Sequence, residues 1–207
     1  TKGQGIAMKT YPFHAPLSRM KYITRWALMR NARPESLSEH TADTALLAHA
    51  LCLIAKNCTG TGDSIRPDTV AAAALYHDAP EILTGDMPTP VKYKNDALRT
   101  AYKAVEAESA RAMASLLPEE LQGVEESYLT GAVLNDAERR LLKAADRLSA
   151  LIKCMEEESS GNREFAAALE QQKQALAGMQ SPEVDYFMEH MLPCYNQNLD
   201  ELTRGRF

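Results

Sequence analysis

The sequence predicts an all-α protein, and three observations carry that expectation. Alanine is abundant, while the β-branched and aromatic alternation of strands is scarce. Residues such as His40, Thr44, Leu47, Leu51 and Ile54 recur at steps of four and three, which sets them on one helical face. Helix punctuation lies between such runs. Ser36-Leu37-Ser38-Glu39 has the capping-box pattern, Pro67 and Pro182 suit a first helical turn, and Gly60, Gly62, Gly85 and Gly178 break or end helices.

In chain order, a first helix is expected over about 16–30, rich in Leu17, Met20, Ile23, Trp26 and Leu28, with Pro34 closing the loop that follows. The Ser36 cap opens a second helix running to about Asn57, and Pro67 opens a third region that Gly85 ends. Pro80 lies inside that region, removes one backbone donor and kinks it. Asp86-Met87-Pro88-Thr89-Pro90 reads as a non-helical loop because its two prolines fix the backbone. A long helix over about 94–116 follows, and Pro118 starts a short one. The next covers about 136–159 with Asp136 as its cap. Asn162 caps another that Gly178 ends, and Ser181-Pro182-Glu183 starts the last, which Pro193 interrupts. There is no internal repeat and no low-complexity linker. Residues 8–207 therefore read as one domain, and residues 1–7, TKGQGIA, as a flexible tail or cloning scar.

The composition bounds the function. With 207 residues, 45% hydrophobic and 25% charged, the chain suits one globular domain and excludes disorder. No apolar run approaches the roughly 18 residues of a membrane helix, and the start of the chain lacks an apolar signal core, which points to the cytoplasm. Cys52, Cys58, Cys154 and Cys194 form no CxxC pair, so zinc-ribbon and thioredoxin motifs are excluded and the thiols read as reduced, buried small residues. A net charge of −5 argues against binding a nucleic acid polymer. Residues 1–34, however, hold Lys2, Lys9, Arg19, Lys21, Arg25, Arg30 and Arg33 and no acid. That asymmetry suits a local anion site, or a basic surface arm.

The chemistry-bearing residues lie on three of the expected helices. His40 extends the apolar face of the second. In the third, Val70, Ala73, Ala74, His77 and Glu81 share a stripe, with Asp78 on the next one. In the 136–159 helix, Asp146 borders the seam of Leu141, Ala145, Leu148, Ile152 and Met155. An ionised aspartate on a core-facing stripe is costly unless paired or bound to metal. A single His-Asp dipeptide is weak, and a lone buried histidine is more often a satisfied core residue than a ligand. The combination of a histidine, a His-Asp pair about 37 residues on and an aspartate about 68 later is stronger. Two histidines and two aspartates make a ligand set for one divalent cation: manganese, cobalt, iron, nickel or zinc, with none selected. His49, nine residues after His40, falls on the opposite helix face, and His14 and His190 have no partner at ligand spacing.

That order resembles the HD-domain phosphohydrolase superfamily, an all-helical, metal-dependent group. Further motifs resemble its bacterial 5′-deoxynucleotidase branch: Arg25-Trp26, Ser38-Glu39-His40, YHDAPEILTGDMPTPVKY at 76–93, KAADRLSALIKCMEE at 143–157 and EVDYFMEHMLP at 183–193. The resemblance covers nearly the whole chain from about Met8. It implies a compact multi-helix HD-domain fold. It also implies His40, His77, Asp78 and Asp146 as metal ligands, with His40, His77 and Asp146 also meeting substrate, and Glu81 as the catalytic acid/base. Arg25 and Trp26 would position the phosphate and sugar, and Asp86, Met87, Pro88 and Thr89 would line the nucleotide site. The implied activity is hydrolysis of deoxyribonucleoside 5′-monophosphates by a cytoplasmic homodimer holding one divalent metal per subunit. Two other readings compete: a related phosphohydrolase acting on nucleoside triphosphates or guanosine polyphosphates, and a non-catalytic helical regulator that binds metal or nucleotide. The products separate the first from a monoesterase, since only the latter releases inorganic phosphate from a monophosphate.

Overall fold

The computed structural model describes residues 9–92 and 94–204, so the expectation for residues 1–7 lies outside the described residues. The helices are α1 (His14–Leu17), α2 (Leu37–Ile54), α3 (Pro67–Tyr76), α4 (Glu81–Thr84), α5 (Thr89–Lys92) and α6 (Asp96–Ala114). They continue as α7 (Glu119–Leu129), α8 (Asp136–Ser159), α9 (Ala166–Ala177), α10 (Pro182–His190) and α11 (Leu199–Thr203). Among the described residues there is no strand, only an isolated antiparallel bridge between Thr24 and Ser36.

Helix α2 is the axis of the fold and packs along both α3 and α8, while α9 lies on the far side of α8. The Ser36–Glu39 capping box is formed, and Leu47, Leu51 and Ile54 are buried as their spacing predicts. Helix α8 spans about 36 Å at 1.5 Å per residue. It buries Leu141, Ala144, Ala145, Leu148, Leu151 and Cys154. Alanines at Ala45 and Ala48 on α2, Ala73 and Ala74 on α3, and Ala144 and Ala145 on α8 are all buried. Their small side chains let three helices approach closely.

Two apolar clusters result. The larger joins α2, α3, α8, α9 and α10; the smaller gathers Phe13, Met20, Leu37 and Ala79 with Ala110, Met113 and Leu129 of α6 and α7. His40 falls between Leu37 of the small cluster and Ala45 of the large one. His77 and Asp78 fall between Ala74 of the large and Ala79 of the small. The polar site occupies the seam between the two cores.

Several boundaries differ from the expected ones. The helix expected over 16–30 ends with a 3₁₀ turn at Ser18–Tyr22, because residues 23–25 instead hydrogen-bond across to 35–37. Arg25 N donates to Glu35 O at 2.9 Å and Leu37 N to Ile23 O at 2.8 Å. Pro80 does more than kink its helix: α3 stops at Tyr76, a turn follows, and α4 restarts at Glu81. Gly85, at φ +74°, ends α4 in backbone space open to glycine alone at little cost. Thr89 and Pro90 open the short helix α5, where a proline in the first turn forfeits no hydrogen bond. The cap of α8 is Asn135, which forms a capping box with Glu138; Asp136 lies inside the helix. Beyond Pro193 the chain makes one further helical turn, α11, capped by Asn198. Of the cysteines, Cys52 and Cys154 are buried as expected, Cys194 is partly so, and Cys58 is exposed.

The segment between Tyr22 and α2 is tied down by a buried carboxylate. Glu157 accepts the backbone N–H of Ala32 at 2.7 Å and of Arg33 at 3.2 Å, Asn162 Nδ2 at 2.7 Å, and the Lys153 ammonium. Burial works to raise its pKa, but these donors win and bring it down to about 2. The linked stability is therefore present above pH 4.5 and is lost as pH falls toward 2. Glu157→Ala, which strands the Lys153 charge in the core, is expected to cost on the order of 3 kcal/mol. A lower urea midpoint at unchanged slope would register it; an unchanged midpoint would contradict this account.

Candidate metal and phosphate site

The four expected ligand residues converge. His40 Nε2 lies 3.3 Å from Asp146 Oδ1 and 3.5 Å from Asp78 Oδ2, and His77 Nε2 lies 3.2 Å from the same Asp78 oxygen. Ligand atoms of His40, His77 and Asp146 all fall within 4.8 Å of one another. The elements that deliver them are distinct: the first turns of α2, the turn after α3, and the middle of α8.

Each imidazole is oriented through its other nitrogen. His77 Nδ1 donates to the Ala74 carbonyl at 2.6 Å, which leaves its Nε2 facing the cluster. His40 Nδ1 shares a hydrogen bond with Ser149 Oγ at 3.0 Å. Both Nε2 atoms are buried and make no hydrogen bond. Second partners of this kind fix ring orientation in metal sites. Two bare imidazole nitrogens opposite two carboxylates are a donor set that fits a divalent transition metal. Buried nitrogens without partners are otherwise an unrecovered cost.

The charges are graded. Burial opposes a charge on His77, but the Asp78 carboxylate outweighs it and lifts the imidazole to about 9. Burial would raise Asp146, yet the two histidines bring it down to about 2, and Asp78 is likewise held well below its ordinary value. Glu81 moves the other way. Burial, then the Asp78 and Asp86 charges, raise it to about 9. Its side chain is almost fully enclosed, Oε2 has no hydrogen-bond partner, and Lys92 Nζ stands 4.0 Å from Oε1.

Arg25 joins the cluster from the segment before α2. Its Nη1 lies 3.4 Å from Asp78 Oδ2, and its Nε donates to Glu35 Oε2 at 3.0 Å. Trp26, at φ +57°, rests against Phe165 with ring centroids 5.3 Å apart. Of the other basic residues in the acid-free run, Lys9, Arg19, Lys21, Arg30 and Arg33 are exposed, and Lys2 lies outside the described residues. Among the described basic residues of this run, only Arg25 turns inward. Asp86, Met87 and Pro88 form the half-buried stretch between α4 and α5. The Asp86 carboxyl is raised by burial and pulled back by Arg25, so it shares the field of the cluster. Thr89 enters as the first residue of α5; its side chain lies outside the described residues. A cleft of about 330 Å³ reaches His77 and Asp146 past Tyr128, Thr130, Leu142 and Lys143.

Three neighbours escaped the sequence reading. Ser149 supports His40, Glu35 holds Arg25, and Lys92 faces Glu81 while also binding Glu106 at 2.8 Å. One signal for Glu35 was present: it is the first acid in the chain, directly after the basic run.

The chain is similar to several known proteins. Residues 12–195 match the YfbR-like family, described as 5′-deoxynucleotidase YfbR-like. The chain is 43% identical over 197 residues to the 5′-deoxynucleotidase YfbR of Shigella dysenteriae serotype 1, covering 95% of this chain and 98% of the relative. The YfbR protein of Escherichia coli O1:K1 matches to the same extent. Among solved structures, the HD-domain phosphohydrolase lin2634 from Listeria innocua superposes with a TM-score of 0.76 at 22% identity, covering 88% of this chain and 87% of that one. The cyanophage S-2L HD phosphohydrolase DatZ, solved with dA and one catalytic Zn²⁺ ion, gives 0.61 at 22% identity over 89% and 96%. These likenesses establish the HD-domain phosphohydrolase fold.

Without a cation, His77 gains its proton from folding, so its stabilising pairing with Asp78 is full below pH 6.5 and is lost as pH rises through about 9. A cation must displace that proton. Affinity for manganese, measured calorimetrically between pH 6 and 9, is expected to rise about tenfold per pH unit with a proton released. A flat profile would contradict the assignment of His77 as a ligand.

Proposed function

The chain belongs to the YfbR-like 5′-deoxynucleotidase family, and on that premise we propose that it hydrolyses deoxyribonucleoside 5′-monophosphates to deoxyribonucleosides and inorganic phosphate. The observation that carries the proposal is the set of unpartnered His40 and His77 nitrogens facing Asp78 and Asp146, with Arg25 and Glu81 at its border. His40, His77, Asp78 and Asp146 would hold one divalent cation per subunit, of the manganese, cobalt, zinc, iron or nickel group. When bound, such an ion neutralises phosphate charge and lowers the pKa of a water toward 7.

The chain's own residues supply the remainder. The Nη edge of Arg25 donates to phosphate oxygens, where a guanidinium fork suits the oxyanion geometry. Glu81 receives the proton of the attacking water and can return it toward the departing 5′-oxygen. Burial and the Asp78 and Asp86 charges keep a proton on Glu81 in the cation-free site; with the Asp78 charge offset by a bound cation, Glu81 would give that proton up and be free to receive the water's. Trp26 provides an apolar wall beside the phosphate. Asp86, Met87, Pro88 and Thr89 close the deoxyribose side, and a stiff wall there offers a 2′-hydroxyl no partner. The resemblance also implies a cytoplasmic homodimer. No described helix is long and apolar enough to cross a membrane.

The test is phosphate release from matched deoxyribo- and ribonucleoside 5′-monophosphates, after chelation and again with added manganese, cobalt or zinc. Release from the deoxy compounds that returns with metal is the expected result. Glu81→Gln is expected to lower kcat at least about 100-fold while cation binding persists. Release of triphosphate or pyrophosphate from longer substrates, with none from monophosphates, would overturn the monoesterase reading.

A further inference from the structure

We propose that Glu35 is a positioning residue of this reaction, aiming Arg25 and Trp26 at the substrate phosphate and sugar through one carboxylate oxygen. The inference rests on the reading that Arg25 meets the phosphate. Glu35 Oε2 accepts Arg25 Nε at 3.0 Å and Trp26 Nε1 at 3.1 Å, and its side chain is mostly buried. The backbone reinforces the pairing, since Arg25 N donates to Glu35 O at 2.9 Å and Thr24 bridges Ser36. Glu35 is thus held opposite Arg25 and within reach of Trp26 next to it.

Three physical consequences follow. A guanidinium is planar and rigid, so holding its Nε edge fixes where its Nη edge points. That edge faces the cluster, with Nη1 at 3.4 Å from Asp78 Oδ2. Next, a buried cation needs a counter-charge. Asp78 is claimed by the metal in the proposed site, which leaves Glu35 as the carboxylate dedicated to Arg25. Finally, Trp26 adopts a left-handed backbone conformation that a bulky residue seldom takes. The Nε1–Glu35 bond, the Phe165 contact and the Asn31 Nδ2 bond to the Trp26 carbonyl hold it there.

Trp26 is the only tryptophan of the chain, so its fluorescence reports directly on the Glu35 contact. The experiment compares Glu35→Ala, Glu35→Gln, Arg25→Ala and the double variant Arg25→Ala/Glu35→Ala. Each is assayed for deoxyribonucleoside monophosphate turnover, manganese affinity and tryptophan emission. Glu35→Ala is expected to lower kcat/KM at least 30-fold, to shift the emission, and to leave manganese affinity within threefold of the parent. Glu35→Gln, which keeps the volume and one acceptor oxygen, should fall between parent and Glu35→Ala. Once Arg25 is already alanine, removing Glu35 should cost clearly less than it costs the parent, the remainder being its hold on Trp26. Unchanged turnover in Glu35→Ala, or losses that multiply fully in the double variant, would overturn the positioning role. If Arg25→Ala alone kept full kcat/KM, the phosphate role of Arg25 would fall instead, which separates the two failures.

Discussion

Two imidazole nitrogens and two carboxylates face one another along the seam between two apolar clusters, and the nitrogens have no hydrogen-bond partner. Burying polar nitrogens in this state is unfavourable, and the two half-buried carboxylates beside them give up part of their hydration as well. Helices α2 and α8 and the turn after α3 nonetheless orient each group inward. The alanine-lined contacts of α2, α3 and α8 bring the backbones close enough for the side chains to meet. Ser149 and the Ala74 carbonyl take the outer nitrogens, so neither ring can turn away to find another partner. A divalent cation, were one held there, would offset these costs together. Most of the fold can be read as the scaffold that maintains this demand.

The same charge cluster sets the behaviour of its neighbours. Negative charge at Asp78 and Asp86, together with burial, keeps a proton on Glu81, while the histidines hold Asp146 ionised. Carboxyls of one site thus stand on opposite sides of neutrality, which suits Asp146 to the proposed ligand role and Glu81 to the proposed proton-carrying one. Arg25 meets the cluster from a segment that is not helical, anchored by Glu157 behind and Glu35 beside it. The candidate site is therefore built from α2, α8 and the turn after α3 on the histidine side and from a pinned loop on the Arg25 side.

Much of this was legible in the sequence, for definable reasons. His40, Asp78 and Asp146 stood out because charged or metal-ligating groups interrupted apolar helical faces, and the spacing of such faces depends on local geometry alone. The Ser36–Glu39 cap and the Pro67 start were legible for the same reason. What escaped notice depends on contacts distant in sequence. Leu17, Met20, Ile23, Trp26 and Leu28 have a helical spacing, yet pairing of residues 23–25 with 35–37 overrides it. Glu35 and Lys92 gain significance only once Arg25 and Glu81 are placed in space. At α5, two prolines suggested a loop, although a proline in the first helical turn breaks nothing.

One divalent cation is proposed to sit among His40, His77, Asp78 and Asp146. Anomalous diffraction from crystals soaked in manganese tests it most directly. A single strong anomalous peak per subunit, bounded by those four side chains and lost on Asp146→Ala, is the predicted result. A peak on Glu81 and Asp86 alone, or none at a concentration that supports turnover, would contradict the account.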